Sequence, residues 1–199
     1  AMLESLRTRS DSVTAEKDRL TSEQTELEQE LARYGEDLNG DGQTVVSVVA
    51  YNLMLGENSK DLDPEMQVAN IYKLAGDLSS NDSAIFITDT LGFQYCQQDE
   101  GAEVLGHLDG TEAQGEENME TMKAPLRELQ LVEGLTNPER MEGYSFSLRY
   151  FTPGQLKDEG TASMYEASKA MLERILAGTP LATEESVSSG AVESTASGK

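Results

Sequence analysis

Apolar residues recur along this chain in two rhythms, and each change of rhythm marks a change of element. Leu27, Leu31 and Tyr34 fall at i, i+4 and i+7 through an otherwise charged stretch, the pattern of a helix laying one stripe on a core. Thr21 followed by Gln24 has capping-box spacing, and Gly35 suits a C-terminal cap, so a helix is predicted over 21–35. Thr44 to Tyr51 is β-branched and partly apolar on both faces, which predicts a strand covered on two sides and central in its sheet. Asp63-Pro64 offers an N-cap and a first helical residue, and Val68, Ile71, Tyr72, Ala75 and Leu78 make one stripe to about Leu78. Ala84 to Thr88 is a short apolar run between turn residues, a second buried strand. Leu126 to Leu135 reads as a short helix or an irregular packed segment. Tyr144 to Phe151 alternates with period two, as an outer strand with one wet face would. Met164, Ala167, Met171, Leu172 and Ile175 predict a last helix over about 161–177, stopped by Gly178. Ser12 to Ala15 suggests a short first strand.

A strand, a helix and a strand within about 45 residues predict a right-handed parallel crossover. The expected class is therefore α/β: a three-layer sandwich with a mainly parallel sheet. Residues 1–11 read as a linker or stalk remnant, 12–178 as a single α/β domain and 179–199 as a disordered low-complexity tail of Ser, Thr, Ala, Gly and Glu. Between Asp99 and Glu120 there are eight acidic residues and no Lys or Arg, which predicts a long mobile loop.

Charge narrows the partners. A formal net charge of −22, from 37 acidic against 15 basic residues, repels phosphate backbones and anionic headgroups, so nucleic acid is excluded as a partner. An apolar content of 37% suffices for one core. Cys96 is the single cysteine and cannot close an intrachain disulfide. No run of about 18 apolar residues spans a membrane. Ala1-Met2 reads as an expression scar, so a membrane link is expected only through an upstream signal or anchor.

The chemistry concentrates in Asp37-Leu38-Asn39-Gly40-Asp41-Gly42. Oxygen side chains at positions 1, 3 and 5 converge on one point if the backbone curls around it, Gly at position 6 permits the turn, and Gln43 offers its carbonyl at position 7. Val45 and Val48 occupy positions 9 and 12, where an EF-hand carries further ligands, so the loop alone under-coordinates calcium. The same residues also suit an ordinary Asn-Gly/Asp-Gly turn.

Asp37 to Gly42 resembles the loop of EF-hands and dockerins, and the strand-like sequence after it implies a helix-loop-strand calcium site similar to those of some bacterial solute-binding proteins. More broadly, the helix, the DLNGDG loop, the apolar strand, the Asp-Pro-Glu helix with Val68-Ala69-Asn70 and Lys73-Leu74, and Ile85 to Asp89 resemble uncharacterised membrane-tethered extracytoplasmic proteins of gut Firmicutes. The helix and strand of 64–89 are similar to one lobe of extracellular solute-binding proteins. The resemblance implies an extracytoplasmic, cell-surface anchored or secreted bacterial domain.

In a parallel sheet the loop 36–43 shares an edge with the turn 79–82, which makes Asp82, or Asp77 one helical turn back, the expected last calcium ligand, with Glu36 as local rival and Glu57 and Asp61 at the far edge. A small-molecule or protein ligand would bind outside the carboxyl ends of the strands, at Asn52, Asp89, Thr90 and Phe93. Tyr51, Phe86, Phe93 and Tyr95 line a cleft or fill the core. His107, without a second His or Cys at ligand spacing, reads as a solvated side chain, and no nucleophile elbow, phosphate loop or zinc signature occurs. The expected function is a non-enzymatic ligand-binding or sensing domain with a structural calcium. The alternatives are a structural or protein-interaction domain and, less favoured, a hydrolase.

Overall fold

The structure is a computed structural model that describes residues 2–51, 64–98, 104–113 and 119–181. Asn52, Glu57 and Asp61 lie outside the described residues, as do the predicted tail from 182 and parts of the acidic segment. Four helices, α1 (Met2–Ala32), α2 (Pro64–Ser80), α3 (Thr90–Gln98) and α4 (Glu159–Ala177), surround three strands, β1 (Ile85–Thr88), β2 (Ala124–Pro125) and β3 (Ser145–Leu148). The class is mixed α/β.

The sheet has the order β1-β3-β2, and both of its pairings are antiparallel. No parallel pair occurs among the described residues, which corrects the expected parallel crossover. The reason lies in Thr44 to Tyr51. This segment has no regular secondary structure, with Thr44, Val46 and Val48 half-buried and Val45, Ser47 and Val49 exposed, and among the described residues no strand pairs with it. At Val48 its hydrogen bonds run to α1: Gln24 Nε2 donates to the Val48 carbonyl at 2.6 Å, and the Val48 N–H donates to Glu28 Oε1 at 2.8 Å. Two helix side chains thus satisfy both peptide groups of Val48, which a neighbouring strand would otherwise take.

β1 pairs instead with the later β3, Ile85 opposite Leu148 and Ile87 opposite Phe146. These four side chains face the main core, shared with Leu31 and Tyr34 from the α1 end, the 3-10 turns of residues 126–135, and Tyr165, Leu172 and Ile175 of α4. On the opposite face Phe86 packs with Phe93 and Cys96 of α3, Leu105, Ala113 and Met122. The acidic segment is thus packed at Val104, Leu105 and Ala113 and is not one mobile loop through residues 104–113. β3 is central, not outer: Ser147 and Arg149, on the side predicted to be wet, are 0% and 6% exposed. Ser12 to Ala15 lies inside α1, which runs unbroken across the expected boundary at residues 11 and 12.

α4 is specified locally at both ends. Asp158 caps it by accepting from the Thr161 N–H at 2.9 Å, and Gly178 ends it at φ 64°, a conformation without penalty for glycine. α2 ends differently, on Asn81 at φ 60°, a residue type that tolerates the left-handed region. Arg149 Nη2 donates to the Leu78 carbonyl at 2.7 Å and to Asn81 Oδ1 at 2.9 Å, tying the end of α2 to the sheet. Replacement of Arg149 by Leu is expected to lower stability by about 1.5–3 kcal/mol, the range for hydrogen bonds from a charged donor. In hydrogen exchange the α2 amides should lose protection before those of α4, and equal loss in both helices would place Arg149 outside this role.

Candidate metal centre and the α3 pocket

The loop after α1 is ordered by its own side chains. Asp37 accepts the Gly40 N–H at 2.8 Å on one oxygen and the Gly42 N–H at 2.7 Å on the other. Asn39 Oδ1 accepts the Asp41 N–H at 3.0 Å, and Asp41 Oδ1 accepts the Gln43 N–H at 2.8 Å. Gly40 and Gly42 take φ of 74° and 84°, which L side chains rarely adopt. The N–H groups of Gly42 and then Gly40 hold the Asp37 carboxyl below its ordinary pKa.

Every residue from Glu36 to Gln43 is exposed. The Asn39 amide nitrogen donates to Asp41 Oδ2 at 2.9 Å, so this arrangement closes the loop on itself. The donor set is nevertheless of the kind calcium takes: two carboxylates, an amide and a main-chain carbonyl.

The candidate completing residues are placed otherwise. Among the described residues no group of three or more His, Cys, Asp or Glu side chains is arranged to hold a metal ion. Asp82 is exposed on the turn after α2. Asp77 accepts a hydrogen bond from Tyr51 Oη, which with burial pushes the Tyr51 pKa up to about 12. Glu36 pairs with Arg174 at 2.8 Å, whose Nε donates to the Tyr34 carbonyl at 2.7 Å. The case for Asp82 rested on two parallel strands sharing an edge, and that edge is absent from the observed sheet.

Of the four expected ligand residues, Asn52 lies outside the described residues and the other three stand together. Asp89, Thr90 and Phe93 line a pocket of about 40 Å³ at the start of α3, together with Thr88, Gln94, Met119, Lys123, Gly143 and Ser145. Asp89 caps the helix, accepting the Gly92 N–H at 2.7 Å. Phe93 is buried, with the Lys123 ammonium 5.5 Å from its ring centre. The pocket has room for a few waters and falls well short of the roughly 300–1,000 Å³ that small-molecule sites occupy.

A groove of about 530 Å³ runs over the 3-10 turns, lined by Arg127, Glu128, Leu129, Gln130, Val132, Glu133 and Pro138. The sequence reading missed it, because consecutive 3-10 turns have no periodic signature. It adjoins the docking of α1, where Glu26 accepts the Thr136 N–H at 2.9 Å and Glu23 pairs with Arg140 at 3.3 Å. His107 is not free in water: its Nδ1 lies 2.6 Å from Thr121 Oγ1. No family model, curated sequence or solved structure matches the chain.

Asp37 and Asp158 both have folded-state pKa values lowered by N–H donors. Each therefore contributes stability above its ordinary pKa, near pH 4, and loses it as pH falls through the lower folded value. In urea unfolding, Asp37→Asn and Asp158→Asn should be less stable than wild type at pH 7, and the gap should close below about pH 4. A gap that stays constant with pH would show that ionisation of these caps contributes nothing.

Proposed function

We propose that this chain is a non-enzymatic extracytoplasmic interaction domain, carried on the helical stalk α1, which recognises a protein partner and is braced by calcium at Asp37, Asn39, Asp41 and the Gln43 carbonyl. The observation that carries the reading is the division of α1. Its C-terminal half is fastened to the body by Gln24, Glu26, Glu28 and the buried Leu31, while Thr14 to Asp18 and Leu20 are exposed. A helix clamped at its C-terminal end and solvent-facing at these positions can present a domain at a distance. The resemblance of residues 12–177 to extracytoplasmic proteins supports the compartment, and a tether upstream of α1 belongs to the same proposal. Among the described residues no helix is long and apolar enough to cross a membrane.

The groove over residues 127–138 supports a protein ligand. It is lined by the buried Val132 and the half-buried Leu129 beside the exposed Arg127, Glu128 and Glu133. Apolar and charged groups side by side in an open groove suit an extended peptide segment. A second reading, small-ligand sensing, is favoured by the meeting of Asp89, Thr90 and Phe93 in one pocket. Selection of displayed peptides on the full chain separates the two. Leu129→Asp with Arg127→Glu should abolish capture while Asp89→Ala leaves it intact, and the reverse dependence would move recognition to α3.

The calcium part is tested separately. With two carboxylates from the loop, binding should fall in the millimolar class, and about 10 mM calcium should then raise the melting temperature by about 3–6 °C over chelator. Magnesium should not, and Asp37→Ala or Asp41→Ala should remove the rise. A wild-type melt unmoved by calcium would sink the brace.

A further inference from the structure

We propose that the N-terminal half of α1 pairs with α1 of a second copy of this chain, so that the domain works as a weak dimer joined along its stalk. The inference rests on the stalk reading above. Leu6, Val13, Leu20, Leu27 and Tyr34 recur every seven residues, and Leu3 and Leu31 stand three residues before Leu6 and Tyr34. A straight helix drifts by about 20° per seven residues, so a strict seven-residue row keeps facing one partner only when two helices wind about each other.

The C-terminal end of this row is already closed within the chain: Leu31 and Tyr34 are buried and Leu27 packs against them. One turn beyond the body the same row reaches solvent at Leu20, which is 50% exposed. The sequence row through Leu6, Val13 and Leu20 is thus continuous in register with the part that the body fills.

Charge points to a second copy. Residues 2–19 hold four acidic and four basic residues, so the whole net charge of −22 lies elsewhere in the chain. Two copies repel through their bodies but meet no net repulsion along this stretch. Ser10, Lys17 and Gln24 occupy the alternate core positions of the repeat, which restrains affinity and favours a reversible pair.

Sedimentation equilibrium of the full chain over ~10–500 µM provides the test, that range being where a short seam would associate. The apparent mass should rise from 21.7 kDa toward twice that value. Leu20→Asp should weaken association at least tenfold with an unchanged melting temperature, since the side chain is exposed. Ser22→Asp, on the far side of the helix, should associate like wild type. A wild-type chain that stays at monomer mass throughout, or equal association of the two variants, overturns the proposal. Peptide capture and the calcium response do not depend on Leu20, so a failed dimer is distinguishable from a failed interaction reading.

Discussion

Burying a guanidinium costs several kcal/mol unless its charge and hydrogens find partners, and Arg149 meets part of that cost without a carboxylate partner among the described residues, its Nη1 being buried there with no hydrogen-bond partner. Its Nη2 donates to the Leu78 carbonyl at the end of α2 and to the Asn81 amide oxygen, and its Cζ lies 4.7 Å from the centre of the Phe151 ring. The partial negative charge at a helix C-terminus and the face of an aromatic ring together stand in for an anion. Gln155 donates to the same Asn81 oxygen at 3.0 Å, so the turn before α4 joins the same knot. Through one side chain the end of α2, the central strand and the entrance of α4 are held in register. Burial also pushes the Arg149 pKa down, the mark of a charge kept from water.

The second constraint is how α1 meets the body. Its docking combines the apolar contacts of Leu27, Leu31 and Tyr34 with carboxylates that accept main-chain N–H groups, Glu26 from Thr136 and Glu28 from Val48. In a chain this acidic, such use of glutamate turns surplus negative charge into structure: each carboxylate satisfies a peptide donor instead of repelling a neighbour. Arg174 adds a cation from α4 that reaches the Tyr34 carbonyl and Glu36. The loop 36–43 therefore leaves a fixed point, and Asp37 organises it through two glycine N–H groups. A cation bound there would brace the junction between α1 and the body.

What the sequence determined by itself was local. Asp63-Pro64 placed the start of α2, Ala84 to Thr88 placed β1, and Met164 to Ile175 with Gly178 placed α4, because caps, glycine stops and side-chain periods act within a few residues. The stripe of α2 expected to face the core did not, since Val68 and Tyr72 are exposed and Leu74 is the buried residue. The DLNGDG turn was legible for the same reason, since its hydrogen bonds close over five residues. Tertiary structure decided what those elements met. Thr44 to Tyr51 has the composition of a central strand, but Gln24 and Glu28, 24 and 20 residues from Val48, took its peptide groups, and with it went the parallel sheet and the edge that pointed to Asp82. The alternation of Tyr144 to Phe151 was read as core against water. It reports two different coverings, an apolar core on one face and, on the other, α3 with the end of α2 around Ser147 and Arg149. Period two records only that the two faces differ, and whether the polar face meets water or a helix end depends on residues some 70 positions away.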